Sequence, residues 1–110
     1  MRSYLVDEIS PSDIKKINEF LDRNATQSPL EKLFWIHLPV NLLSDIQSQH
    51  TLCQPHAFSI ELGHDRIKVE FLIRSLKNMS CLCQAYCTPQ QRNFIPGLTD
   101  NMIRDLSIRT

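Results

Sequence analysis

The chain has 110 residues, twelve Lys plus Arg against twelve Asp plus Glu, and 42% hydrophobic residues, the proportions of an ordinary small globular protein. A chain of this length buries roughly 60–70% of the surface its unfolded form exposes, enough for one core, so a single domain over residues 1–110 is expected. Zero net charge and a pI near 6.9 remove the attraction on which most nucleic-acid binders and membrane-surface proteins depend, and so argue against both partners.

Residues 1–10 reach only Tyr4-Leu5-Val6 before Asp7 and Glu8, with no apolar run of the kind a secretory leader needs. The longest apolar stretch, 33–38, contains His37 and stops at Pro39, far short of the ~20 residues that span a bilayer. A cytoplasmic location is expected. There thiols stay reduced, so Cys53, Cys81, Cys83 and Cys87 are read as thiols or metal ligands rather than two disulfides.

The first helix is the best-marked element. Ser10 supplies a cap, Pro11 suits the first helical position, and Asp13 sits where the helix dipole favours negative charge. Ile9 and Ile14 form a hydrophobic staple, and Ile14, Ile17, Phe20 and Leu21 recur at helical spacing. Ser28-Pro29-Leu30-Glu31 has the form of a capping box, which predicts a second helix over 30–38. Leu33, Phe34, Trp35, Ile36 and Leu38 cover nearly its whole circumference, so it should lie in the core or against a partner. A third helix is expected through Leu42, Leu43 and Ile46.

From His56 the period changes to alternation. Phe58, Ile60 and Leu62 form one face of a strand, and Ile67, Val69, Phe71 and Ile73 form one face of the next. Parity requires an even loop between them: a two-residue turn at Gly63-His64, setting Ile60 opposite Ile67, or a four-residue loop over 63–66. Alternation over 79–86 predicts a third strand, with Met79, Cys81, Cys83 and Ala85 inward, completing an antiparallel meander. Thr88-Pro89-Gln90-Gln91 is another capping box and opens a terminal helix. Pro96 should kink or break it, with a restart near Thr99 and Asp100. The expected fold is α+β: three N-terminal helices, a three-stranded antiparallel meander and a C-terminal helix, with the helices on one sheet face.

Two groups of residues carry the functional expectations. Leu72, Leu82 and Tyr86 fall on the outward face of the expected sheet, and Trp35 on the all-apolar helix, which together suggest a protein interface. An uncovered meander also leaves two edges free to pair with a second copy. The second group is His50-x-x-Cys53-x-x-His56 with Cys81-x-Cys83, thiols and imidazoles of the kind that zinc or iron centres use. Cys87 lies ~20 Å from Cys81 if the strand is straight, too far for one ion. Buried cysteines also serve as small hydrophobes, and on that reading no cofactor is present.

No phosphate loop, nucleophile elbow or paired-histidine zinc helix occurs, and no catalytic pair is motivated. His37 reads as a satisfied structural histidine and His64 as an exposed turn residue. The leading expectation is a protein-interaction module without catalytic activity, self-associating as a homodimer. The alternative is a metal-binding or thiol redox-sensing domain using Cys53, Cys81 and Cys83 with His50 or His56.

Overall fold

The computed structural model describes residues 2–110 and contains seven strands and three α-helices. In chain order these are β1 (Ser3–Val6), α1 (Pro11–Asn24), β2 (Thr26–Gln27), β3 (Leu33–His37), α2 (Asp45–Gln49), β4 (His56–Leu62), β5 (Ile67–Glu70), β6 (Leu72–Ser75), β7 (Ala85–Tyr86) and α3 (Pro89–Asp105). The main sheet runs β1-β5-β4-β3-β2 with every pairing antiparallel. β6 pairs with the start of β4 on one side and with β7 on the other.

Helix α1 has the expected architecture. The Ser10 hydroxyl accepts from the Asp13 N–H at 3.2 Å, Pro11 opens the helix, and Ile14, Ile17 and Leu21 are buried. The expected helix over 30–38 is instead strand β3, paired with β4 from Leu33↔Glu61 to His37↔Ala57. Phe34 and Ile36 face the core while Leu33, Trp35 and His37 face the other way. A short run that is apolar on both sides has no period to read, and its aromatic and β-branched residues suit a pleated sheet. Ser28 does not cap a helix: its hydroxyl accepts from the Leu30 N–H at 3.1 Å and donates to the Leu30 carbonyl, closing a turn.

The third expected helix is displaced. A 3-10 turn covers Val40–Leu42 and α2 begins after Ser44, whose hydroxyl accepts from Gln47 in a complete capping box. The meander is also overturned. Its first strand matches β4, but its second is divided into β5 and β6, and only Ala85 and Tyr86 of its third are extended. Two strands that no element of the expected fold contained, β1 and β2, flank the sheet.

The β4–β5 hairpin uses the four-residue loop, with Leu62 opposite Ile67 and Gly63 N–H donating to Arg66 O at 2.7 Å. Between the pairs Ile60↔Val69 and Ala57↔Arg74 the second strand carries two extra residues. An even insertion preserves which side each residue faces. Val69, Phe71 and Ile73 therefore all remain in the core.

Helix α3 is continuous through Pro96 rather than broken. The carbonyl left without its N–H partner is that of Arg92, an exposed residue. Ile95, Thr99 and Met102 are its buried face. Ile95 and Met102 join Ile14, Ile17 and Leu21 of α1 with Phe34, Phe58, Ile60, Ile67, Val69 and Ile73 of the sheet in one cluster.

Candidate metal centre

The end of β4 where His56 pairs with Ser75 fixes the site. Immediately before β4, a 3-10 turn over Thr51–Cys53 follows α2 and presents His50 and Cys53. Immediately after β6 the chain makes two successive turns, with Cys81 N–H donating to Asn78 O at 3.1 Å and Gln84 N–H to Cys81 O at 3.4 Å. Because the strands between them are paired, the two turns arrive side by side.

His50, Cys53, Cys81 and Cys83 each offer one donor atom there, and all four atoms lie within 4.8 Å of one another. His50 Nδ1 is 3.2 Å from Cys81 Sγ and 4.0 Å from Cys53 Sγ. The Cys83 N–H points at Cys81 Sγ at 3.5 Å. A backbone donor of this kind stabilises a thiolate. Cys53 and Cys83 are buried and Cys81 is half-buried.

The thiols are unlike one another. The Cys83 backbone N–H leads the influences that lower Cys81 to about 6, whereas burial pushes Cys83 up to about 12. Cys53 also lies above its ordinary value, chiefly through its hydrogen bond with the Cys81 sulfur. Without a cation, repulsion between adjacent thiolates keeps three thiols this close from ionising as a set.

Hydrogen bonds fasten the two turns from behind. Ser75 is fully buried; its hydroxyl donates to the Cys53 carbonyl and accepts from the N–H groups of Lys77 at 3.2 Å and Asn78 at 2.9 Å. Gln84 accepts from Ser75 N–H at 2.9 Å and donates to the carbonyls of Met79 and Cys81. Gln47, inside the α2 capping box, donates to the Cys83 carbonyl at 3.4 Å and accepts from Gln91, inside the α3 capping box, at 3.0 Å. The starts of two helices and one ligand turn are thus joined by buried side chains.

His56 stands apart from the four. Its Nε2 is 3.3 Å from Cys83 Sγ, but it is outside the set whose donor atoms are all mutually close. Burial, and then the nearby His50, hold its pKa below the ordinary histidine value. Cys87 is also outside, with its N–H donating to Phe71 O and burial raising its thiol to about 11. Met79, Cys81 and Cys83 do not line the inward face of a strand; they lie in the turns.

Four residues are expected at an interface. Leu72 and Tyr86 are paired across β6 and β7, and Trp35 is on the sheet face opposite the core, beside Glu61, Lys68 and Arg74. Leu82 is in the ligand turn and 95% exposed. Sequence reasoning did not single out Leu52, which is 91% exposed beside Cys53. Its hydropathy alone suggests a core position. His37 is exposed and bonded to Thr26, and His64 is exposed in the hairpin loop.

Comparison of the chain with protein-family models, curated proteins and solved structures gave no match in any of the three. No helix among the described residues is long and apolar enough to cross a membrane.

Proposed function

We propose that this chain is a zinc-binding domain in which His50 Nδ1 and the thiolates of Cys53, Cys81 and Cys83 hold one structural ion. The observation that carries this reading is the convergence of four zinc-type donor atoms within 4.8 Å, two from each of two turns. Tetrahedral zinc with ~2.3 Å bonds to sulfur and ~2.0 Å to nitrogen needs donor separations of about 3.5–3.8 Å, reached by shifts of about 1 Å or less from the present set. Three sulfurs with one imidazole favour zinc over magnesium or calcium, which take oxygen, and four protein ligands leave no open position for catalysis. The ion's role is to staple the turns before β4 and after β6.

Elemental analysis of protein purified without added metal tests this, together with cobalt titration. Near-stoichiometric zinc, an intense tetrahedral cobalt–thiolate spectrum and loss of both in Cys53→Ala and Cys83→Ala are expected. Protein that takes up neither ion under reducing conditions sinks the reading, and stoichiometric iron would reassign the metal.

The interaction reading is favoured by a separate observation. Leu52 and Leu82, almost wholly exposed, each adjoin a ligand cysteine, so the ion would rigidify a pair of apolar groups in solvent. Self-association through them predicts a dimer in light scattering that Leu82→Glu converts to monomer. A mass near 12.8 kDa at all concentrations rejects that mode.

A further inference from the structure

His56 is almost completely buried, and its two ring nitrogens meet opposite fates. Nε2 lies 3.3 Å from Cys83 Sγ, whereas Nδ1 is the one buried side-chain nitrogen or oxygen among the described residues with no hydrogen-bond partner. Nothing about packing a β-strand calls for an imidazole here. A core position at the start of β4 would be filled more cheaply by Leu or Phe, because a neutral imidazole buries one donor and one acceptor.

We propose that His56 is a positioning residue of the metal centre, donating its Nε2–H to the thiolate of Cys83; this rests on the zinc reading above. Three thiolates against one divalent cation leave a net negative charge, and Cys83 carries its share deep in the protein, where water does not reach it. A hydrogen-bond donor at that sulfur offsets the charge and fixes the direction of its lone pairs.

The orphaned nitrogen decides the tautomer. With the proton on Nε2, Nδ1 is an acceptor left without a partner. With the proton on Nδ1, a buried N–H would lack an acceptor and the Nε2 lone pair would face a thiolate at 3.3 Å. Orphaned buried donors are rarer than orphaned acceptors, and the second arrangement adds a repulsion.

The test uses the full chain loaded with zinc, and with cobalt as a spectroscopic substitute. Long-range proton–nitrogen NMR of the zinc form should show His56 protonated at Nε2 and bare at Nδ1; protonation at Nδ1 overturns the proposal without any substitution. His56→Phe should lower zinc affinity by roughly 10–100-fold and move the cobalt–thiolate charge-transfer band to lower energy. His56→Gln, whose amide nitrogen is the same number of bonds from the backbone, should recover most of both. Unchanged affinity and spectrum in a folded His56→Phe overturn the proposal while leaving the zinc reading intact. Wild-type protein that binds neither ion overturns both.

Discussion

Phe34, Phe58 and Ile60 of the sheet share one cluster with Ile17 and Leu21 of α1 and Ile95 of α3, whereas His50, Cys53, Cys81 and Cys83 meet one another across two turns with little strand pairing around them. The first region is held by removal of apolar surface from water, which is non-directional and distributed over many residues. The second is held by a few directional bonds: the Ser75 hydroxyl, the Gln84 amide and the donor atoms themselves. Loss of one group should therefore be graded in the core and abrupt at the ligand end.

Metal removal gives the largest separation between the two regions. After chelation under reducing conditions, amide protection over 77–84 should collapse while β4 retains protection at Ala57, Phe58 and Ile60. Hydrogen-exchange mass spectrometry reads this directly, and equal loss in both would make the protein one cooperative unit. Reloading should release protons in a defined number. At pH 7.5 Cys81, at about 6, is already mostly thiolate, whereas Cys83, at about 12, and the raised Cys53 are protonated. Zinc binding should then free about two protons from the thiols, and affinity should fall as pH falls because protons compete for the ligands. An indicator dye in weak buffer counts them; three would mean that Cys81 is not activated by the Cys83 N–H.

In the core, Phe58→Ala should cost ~3–5 kcal/mol, by lost transfer energy plus the cavity left behind. Its effect should appear in the denaturant midpoint, with metal stoichiometry of the folded fraction unchanged. Ser75→Ala should cost less, ~1–3 kcal/mol, because it removes one small group but leaves the Cys53 carbonyl and two N–H groups short of a partner. The same substitution should weaken metal binding, which Phe58→Ala should not. If the two variants affect metal affinity equally, the division between regions is wrong.

The two regions also differed in how far the sequence revealed them. Helix α1 was readable because its cap, proline and staple agree with its apolar spacing, and β4 because Phe58, Ile60 and Leu62 alternate cleanly. Strand β3 was not, since an apolar run without a polar side gives no period, and the Ser28-Pro29 start signal belongs equally to a turn. The ligand set was legible as residue types but not as geometry. Cys81-Leu82-Cys83 alternates like a strand, and only the turn bonds at Asn78 and Gln84 show otherwise. What sequence spacing could not supply was the pairing of His56 with Ser75, a contact between distant segments that brings the two turns together.

The smallest expected effect lies in the covering helix and tests whether the core region tolerates local strain. Helix α3 ends with Ser107 at φ 57°, in the left-handed region. Ile108 N–H donates to Ile103 O and Ser107 N–H to Arg104 O, both at 3.0 Å, which satisfies two of the helix's last carbonyls. A side chain in this conformation costs roughly 1 kcal/mol because Cβ crowds the following carbonyl. The conformation persists because it also turns the chain so that Ile108 is buried with the core cluster. Ser107→Gly removes the crowding but increases the freedom of the unfolded chain, so a net gain of ~0.5 kcal/mol is expected. Ile108→Ala should instead lose stability, since it removes the burial that favours the turn. Denaturant midpoints of the pair decide the point. A destabilised Ser107→Gly would mean that the serine side chain contributes more than its strained backbone costs.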